Sequence, residues 1–275
     1  MESKELAYRI RIHAINMVHN AHASHIGGIL SCADIVAVLY SDIANFDVNN
    51  CKNSLRDRII LSKGHNGIAI YAALAEIGFF PVEDLKSYGM NGSKFSCHVS
   101  HKNVPGVEIS TGSLGHGIGV ACGMALNGKL KKLPYKVYVI LGDGECNEGS
   151  VWEAAMFAAQ YKLNNLTVII DANGMQAMGK CSDVIDMEPM ADKWRTFNWN
   201  VIEVKDGHNH NELKQAFMIS SKDKPKVIIA RTVKGKGVSF MENNILWHYR
   251  DPQGELYEQA LKEVEEAYNA ESFNK

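Results

Sequence analysis

Apolar positions recur at helical spacing at Leu6, Ile10, Ile12, Ala14, Ile15 and Val18, which predicts a helix over residues 3–22. It ends before Ala23-Ser24-His25-Ile26-Gly27-Gly28, where the glycine pair reads as a stop. A second helix is predicted over 33–40. The period then shortens: residues 58–62 read as a strand running into Lys63-Gly64-His65, and 67–77 as a helix. The same unit recurs. Residues 109–127 give a Gly-rich turn entering a helix, 136–141 a strand, 150–161 a helix and 166–171 a strand. Residues 200–204 follow as a strand, 211–220 as a helix, 226–231 as a strand and 254–270 as a charged helix. Strands alternating with helices predict an α/β fold, a parallel sheet flanked by helices. No Pro/Ser linker, repeat or low-complexity tract interrupts it, so residues 1–275 read as one domain.

Composition narrows the partners. Apolar residues make up 46 % of the chain, enough for a buried core, and 29 Lys+Arg against 31 Asp+Glu leave a net charge of -2. No basic block of the kind that tracks nucleic acid or anionic lipid is present, so neither is expected as a partner. The N-terminal stretch MESKELAYRIRIHAINMVHN opens with charges and has no apolar signal core. No apolar run is expected to approach the ~18 to 20 residues of a membrane span, and the chain is placed in the cytoplasm. Six scattered cysteines without a C-x-x-C pair read as reduced, mostly buried thiols.

The chemistry concentrates in VILGDGECNEGSVWEAAMFAAQ, residues 139–160. Asp143 ends one predicted strand, and the next ends in Asp171-Ala172-Asn173-Gly174. One right-handed crossover helix joins the two strands, so Asp143 and Asn173 can meet at the sheet's carboxyl end, where ligands of parallel sheets bind. One carboxylate, one amide oxygen and a carbonyl from the Gly174-Met175 turn are too few oxygens to cage a dication. Mg²⁺ takes six at ~2.1 Å and fills the remainder with water and phosphate, which anticipates a phosphorylated ligand. Taken singly, Gly142-Asp143-Gly144 and Asp171-Ala172-Asn173-Gly174 each read as an ordinary turn, and it is their pairing at successive strand ends that points to a site. A dinucleotide fingerprint fails because GSLGHGIG lacks an evident preceding strand, and a P-loop fails because Lys236 is followed by Gly237.

With these residues in place the chain resembles the N-terminal, diphosphate-binding domain of the transketolases, thiamine diphosphate enzymes in which GDG is followed some thirty residues later by Asn. SHIGGILSCADI, RIILSKGHNGIAIYAAL, PGVEISTGSLGHGIGVACGMAL, GDGECNEGSVWEAAMFAAQYKLNNLTVIIDANG and KGKGVSFMENNILWH occur in the family's order. The resemblance implies a thiamine diphosphate-binding fold. It implies Asp143, Asn173 and the main-chain carbonyl of Met175 as ligands of Mg, or of Ca, with Asn173 and Gly144 also at the cofactor. His65 matches the histidine beside the diphosphate, and Gly112-Ser113-Leu114 the segment along the cofactor rings, with His116 following. His25 and His248 match substrate-facing histidines, His248 also touching cofactor. His98 is assigned as a third, with His101 as its competitor. Glu148 and Glu153 resemble acidic residues of a network linking paired cofactor sites, and read equally well as ordinary helix-terminal and surface glutamates.

In the family the glutamate that activates the cofactor's aminopyrimidine lies in a second domain. The resemblance therefore implies one subunit of a split transketolase, with a C-terminal, pyrimidine-binding partner subunit, two copies of each chain, and transfer of a two-carbon ketol unit between sugars or sugar phosphates. A two-chain thiamine enzyme of the dehydrogenase or decarboxylase type, or a non-catalytic cofactor-binding relative, are the alternatives.

Overall fold

Five runs rich in Val, Ile and Leu build the sheet, and a computed structural model describes residues 1–272 around it. The final three positions of the expected domain, 273–275, lie outside the described residues. In chain order the elements are α1 (Ser3–Ala21), α2 (Ile26–Val38), β1 (Arg58–Leu61), α3 (Gly67–Glu76), α4 (Gly117–Leu130), β2 (Val137–Gly142) and α5 (Gly149–Gln160). Then come β3 (Leu166–Ala172), α6 (Cys181–Val184), α7 (Met190–Thr196), β4 (Asn200–Val204), α8 (His210–Met218), β5 (Lys226–Arg231) and α9 (Glu255–Ser272). The strands lie in the order β1-β2-β3-β5-β4, all parallel.

Side chains alternate between the two faces, and both faces are covered, which is why the strands read as continuous apolar runs. Val137, Val139, Leu141, Val168, Ile170, Val227 and Ile229 pack under α4, α5 and α7, with Ile118, Val151 and Trp194 among the contacts. Tyr138, Ile140, Ile169, Ile228 and Ala230 face α1, α2, α3, α8 and α9. Each fully buried aliphatic side chain contributes about 1.5–3 kcal/mol relative to exposure. The chain leaves β1 and β5 toward the second face and leaves β2 and β3 toward the first, so a crevice opens beyond the strands' carboxyl ends.

Two expectations are corrected. The second helix begins at Ile26 rather than at 33, because Gly27 and Gly28 lie inside its first turn. They permit close packing rather than ending a helix: a β-carbon on Gly28 would sit 2.8 Å from Asn66 Nδ2. The same segment, Ile26–Ile43, is also an 18-residue helical run of mean hydropathy 1.6, long enough to span a membrane by length and composition. It is 83 % buried within the fold, as a core helix is. The short helices α6 and α7 were not anticipated.

Candidate active site

Asp143 follows β2 directly, and Asn173 follows β3, whose register pairs Gly142 with Asp171. Asp143 is 6 % exposed. Its Oδ1 accepts from the N–H of Gly144 at 2.8 Å and its Oδ2 from that of Gly174 at 2.6 Å. Gly174 presents its N–H from a left-handed turn, φ 76°, that L side chains rarely adopt. Asn173 Oδ1 accepts from Met175 N–H at 3.1 Å, and Gln176 Nε2 donates to Asn147 Oδ1 at 2.7 Å, tying the two turns together. Burial pushes the Asp143 carboxyl up, Asp171 adds to this, and the Gly174 and Gly144 N–H groups and Lys63 only partly oppose it.

This donor set fits a hard dication bound through phosphate. Among the described residues no three His, Cys, Asp or Glu side chains converge as a cage. What the turns offer is a buried carboxylate, an amide oxygen and the Met175 carbonyl, all oxygen donors that Mg²⁺ or Ca²⁺ accepts.

Beneath this surface lies a buried polar network that sequence reasoning missed. Asp171, fully buried, accepts from Lys63 Nζ and Thr232 Oγ1, from Ser31 Oγ at 2.5 Å and from Asn173 Nδ2 at 3.4 Å. Burial opposes ionisation, but Lys63 and these hydrogen bonds hold the Asp171 carboxyl below its ordinary value. Burial likewise opposes charge on Lys63, yet Asp171 raises it to about 12. Glu145 is a second anchor: it accepts from Ser62 Oγ, from Gly115 N–H at 2.9 Å and from Gly142 N–H at 3.1 Å, fixing the Gly112–Leu114 segment beside the Asp143 turn. Lys234, 3 % exposed, places Nζ 3.5 Å from the Met175 carbonyl and 3.3 Å from His248 Nδ1. Burial and Lys63 bring it down to about 8. The available signals were the lysines themselves, in S-K-G-H beside His65 and in V-K-G-K shortly before the L-W-H of His248.

Four histidines converge at the same crevice. The ring of His25 lies 5.1 Å from His65, 5.9 Å from His98 and 5.0 Å from His248, and His65 lies 5.9 Å from His248. His25, in a left-handed conformation (φ 77°), donates its N–H to the His248 carbonyl at 2.8 Å, locking two distant loops together. Lys234 donating to His248 Nδ1 sets the tautomer with the proton on Nε2. Burial, with neighbouring cationic groups, lowers His25 and His248 to about 4 and His65 to about 2. Between the two competing histidines, His98 joins the cluster, and Gly112 packs on it: a β-carbon there would meet His98 Cδ2 at 3.3 Å. His101 instead turns to Ser110 Oγ at 2.8 Å. His116 is exposed, and its Nδ1 faces its own loop at the Leu114 carbonyl. Glu148 and Glu153 are exposed, with Val120, Met156 and Phe157 exposed on the same pair of helices, α4 and α5.

The chain matches the family described as "Transketolase, thiamine diphosphate binding domain" over residues 2–270. It is 43 % identical to an apulose-4-phosphate transketolase subunit of Phocaeicola vulgatus, covering 92 % of this chain and 90 % of that one. It is 41 % identical to the 6-deoxy-6-sulfo-D-fructose transketolase subunit SqwG of a Clostridium species, covering 88 % of each. Among solved structures, the transketolase of Campylobacter jejuni superposes with a TM-score of 0.88 at 28 % identity, covering 97 % of this chain and 42 % of that one. The chain therefore spans less than half the length of that transketolase, and nearly the whole of the relatives that are named as subunits. This chain belongs to the transketolase family, as its N-terminal, thiamine diphosphate-binding part.

Proposed function

We propose that this chain, with a C-terminal pyrimidine-binding partner subunit, transfers a two-carbon ketol unit from a ketose, by default a sugar phosphate, to an aldose. The observation that carries the reading is the junction at Lys234. One ammonium bridges the Met175 carbonyl, part of the oxygen-donor turn, and His248, part of the histidine cluster, so the two sets of groups share one crevice. Bound thiamine diphosphate supplies a nucleophilic carbon and an electron sink for cleaving the bond beside a ketose carbonyl. Asp143, Asn173 and the Met175 carbonyl would hold its diphosphate through Mg²⁺ or Ca²⁺. Gly144 would allow close approach, and His65 and Lys234 would offset the phosphate charge. Gly112, Ser113 and Leu114, fixed through Gly115 and Glu145, would lie along the cofactor. His25, His98 and His248 bind substrate hydroxyls and move protons at their ring nitrogens. His25 is neutral near pH 7, as a general base must be, whereas His248, with Nδ1 taken by Lys234, offers a substrate the proton on Nε2.

The exposed Val120, Met156 and Phe157 beside Glu148 and Glu153 support a face that other subunits cover, consistent with two copies of each chain. Six free cysteines suit a reducing compartment such as the cytoplasm. The test is to assay ketol transfer by the purified chain with thiamine diphosphate and Mg²⁺, alone and after addition of the partner. The chain alone is expected to be inactive and the pair active. Full turnover by the chain alone would overturn the split-enzyme reading.

A further inference from the structure

On the face of the sheet covered by α1, α2, α3, α8 and α9, the Asp34 carboxylate on α2 is buried under four donors. It accepts from Arg11 Nη1 at 3.1 Å and Nη2 at 2.5 Å, from His208 Nδ1 at 2.7 Å and from His210 Nε2 at 3.0 Å. Burial opposes its charge, but Arg11 and the two imidazoles hold the carboxyl well below its ordinary range. Two of these partners reach onward to the same turn. His208 Nε2 accepts the N–H of Val233 at 2.8 Å, which requires the proton on Nδ1, toward Asp34. Arg11 Nε donates to the Lys236 carbonyl at 3.2 Å.

Between these fixed points stands Lys234, whose carbonyl accepts from Asn243 N–H at 2.8 Å, while Gly235 N–H donates to the Gly27 carbonyl at 2.8 Å. The backbone that launches the Lys234 side chain is thus held on both sides by one buried carboxylate acting through His208 and Arg11. Packing alone has no need of this arrangement. The half-buried Val233 N–H would otherwise lack a protein acceptor, and its acceptor is an imidazole whose tautomer a carboxylate dictates.

We propose that His208, oriented by Asp34, is a positioning residue for Lys234, setting where that ammonium meets the Met175 carbonyl and His248. The inference rests on the reading of this crevice as the diphosphate site. It predicts that His208 acts on cofactor affinity through an acceptor at Nε2, although it touches neither cofactor nor substrate.

The test uses the full chain, alone for amide hydrogen exchange and with its partner subunit for binding of thiamine diphosphate with Mg²⁺. In His208→Leu the amides of residues 233–236 are expected to exchange faster and the dissociation constant to rise by up to about tenfold, the size of effect expected when a half-buried N–H loses its acceptor. His208→Gln restores an acceptor near Nε2 and is expected to recover both. Should the leucine variant not fold, His208→Asn carries the same expectation, because it keeps the donor toward Asp34 and is too short to reach Val233. Unchanged exchange at 233–236, or faster exchange with unchanged affinity, would overturn the proposal. So would equal losses in the leucine and glutamine variants. If the unmodified pair fails to bind thiamine diphosphate, the functional reading falls, and the exchange result still decides the positioning role.

Discussion

Asp171 and Asp143 stand at the ends of adjacent strands, both buried, and differ in almost everything else. Asp171 is paired with Lys63 and accepts from Ser31, Thr232 and Asn173, so its carboxyl is held below the ordinary value. Asp143 accepts from two main-chain N–H groups, forms no ion pair among the described residues, and is pushed up by burial. Of two neighbouring carboxylates, the paired one holds the floor of the crevice, and the other is the one we propose presents charge to a ligand. On the same side of the crevice, burial moves three of the four clustered histidines below their ordinary values.

The comparison breaks most readily at Asp171. Asp171→Leu strands the Lys63 ammonium without its partner, and loss of one member of a buried pair costs about 3–5 kcal/mol. Urea denaturation is expected to show that loss in the chain alone, and an unchanged midpoint would mean that the pair contributes nothing to the floor. On the ligand-facing side the effect moves from stability to chemistry. His25→Ala and His248→Ala are expected to lower turnover of the reconstituted enzyme by ~10²- to 10⁴-fold with little change in cofactor affinity. A large rise in the cofactor dissociation constant with turnover intact would put these histidines on the wrong side of the site.

The histidine cluster also carries a pH dependence. His25 and His248 stay neutral in the folded chain down to about 4, whereas the unfolded chain takes up the same protons near 6.5. The unfolded state therefore binds more protons between these values, and stability is lost as pH falls from about 6.5 toward 4. Replacing both by Gln is expected to flatten that part of the stability profile, and an equally steep profile in the double variant would contradict the assignment.

The sheet was legible because its strands are long enough to alternate and apolar on both faces: residues 200–204 and 226–231 agree to the residue, and 58–62, 136–141 and 166–171 to within one. The start of α2 was not, because Gly27 and Gly28 carry the same signal whether they end a helix or let Asn66 pack against one. Asp143 and Asn173 were legible as strand-end residues. Asp171 stands in the same D-A-N-G turn as Asn173, yet its role depends on Lys63, more than a hundred positions away, a pairing that no local period reveals. The placement of His98 and His101 had the same cause: both lie in one loop, and only the folded chain sets His98 beside His25 while His101 turns to Ser110.

The central claim is that Asp143 presents its charge to a metal that holds the diphosphate. The most direct measurement is a titration of thiamine diphosphate, with and without Mg²⁺, into the partner-bound chain and its Asp143→Ala variant, alongside urea denaturation of each chain alone. Changes to groups that merely support a metal's ligands already cost about 10–100-fold, so loss of this carboxylate is expected to weaken Mg²⁺-dependent binding by more than about 100-fold. The chain alone is expected to stay folded, since the relief of removing a buried charge offsets the loss of an acceptor for the Gly144 and Gly174 N–H groups. Unchanged affinity and unchanged metal dependence in the variant would contradict the account.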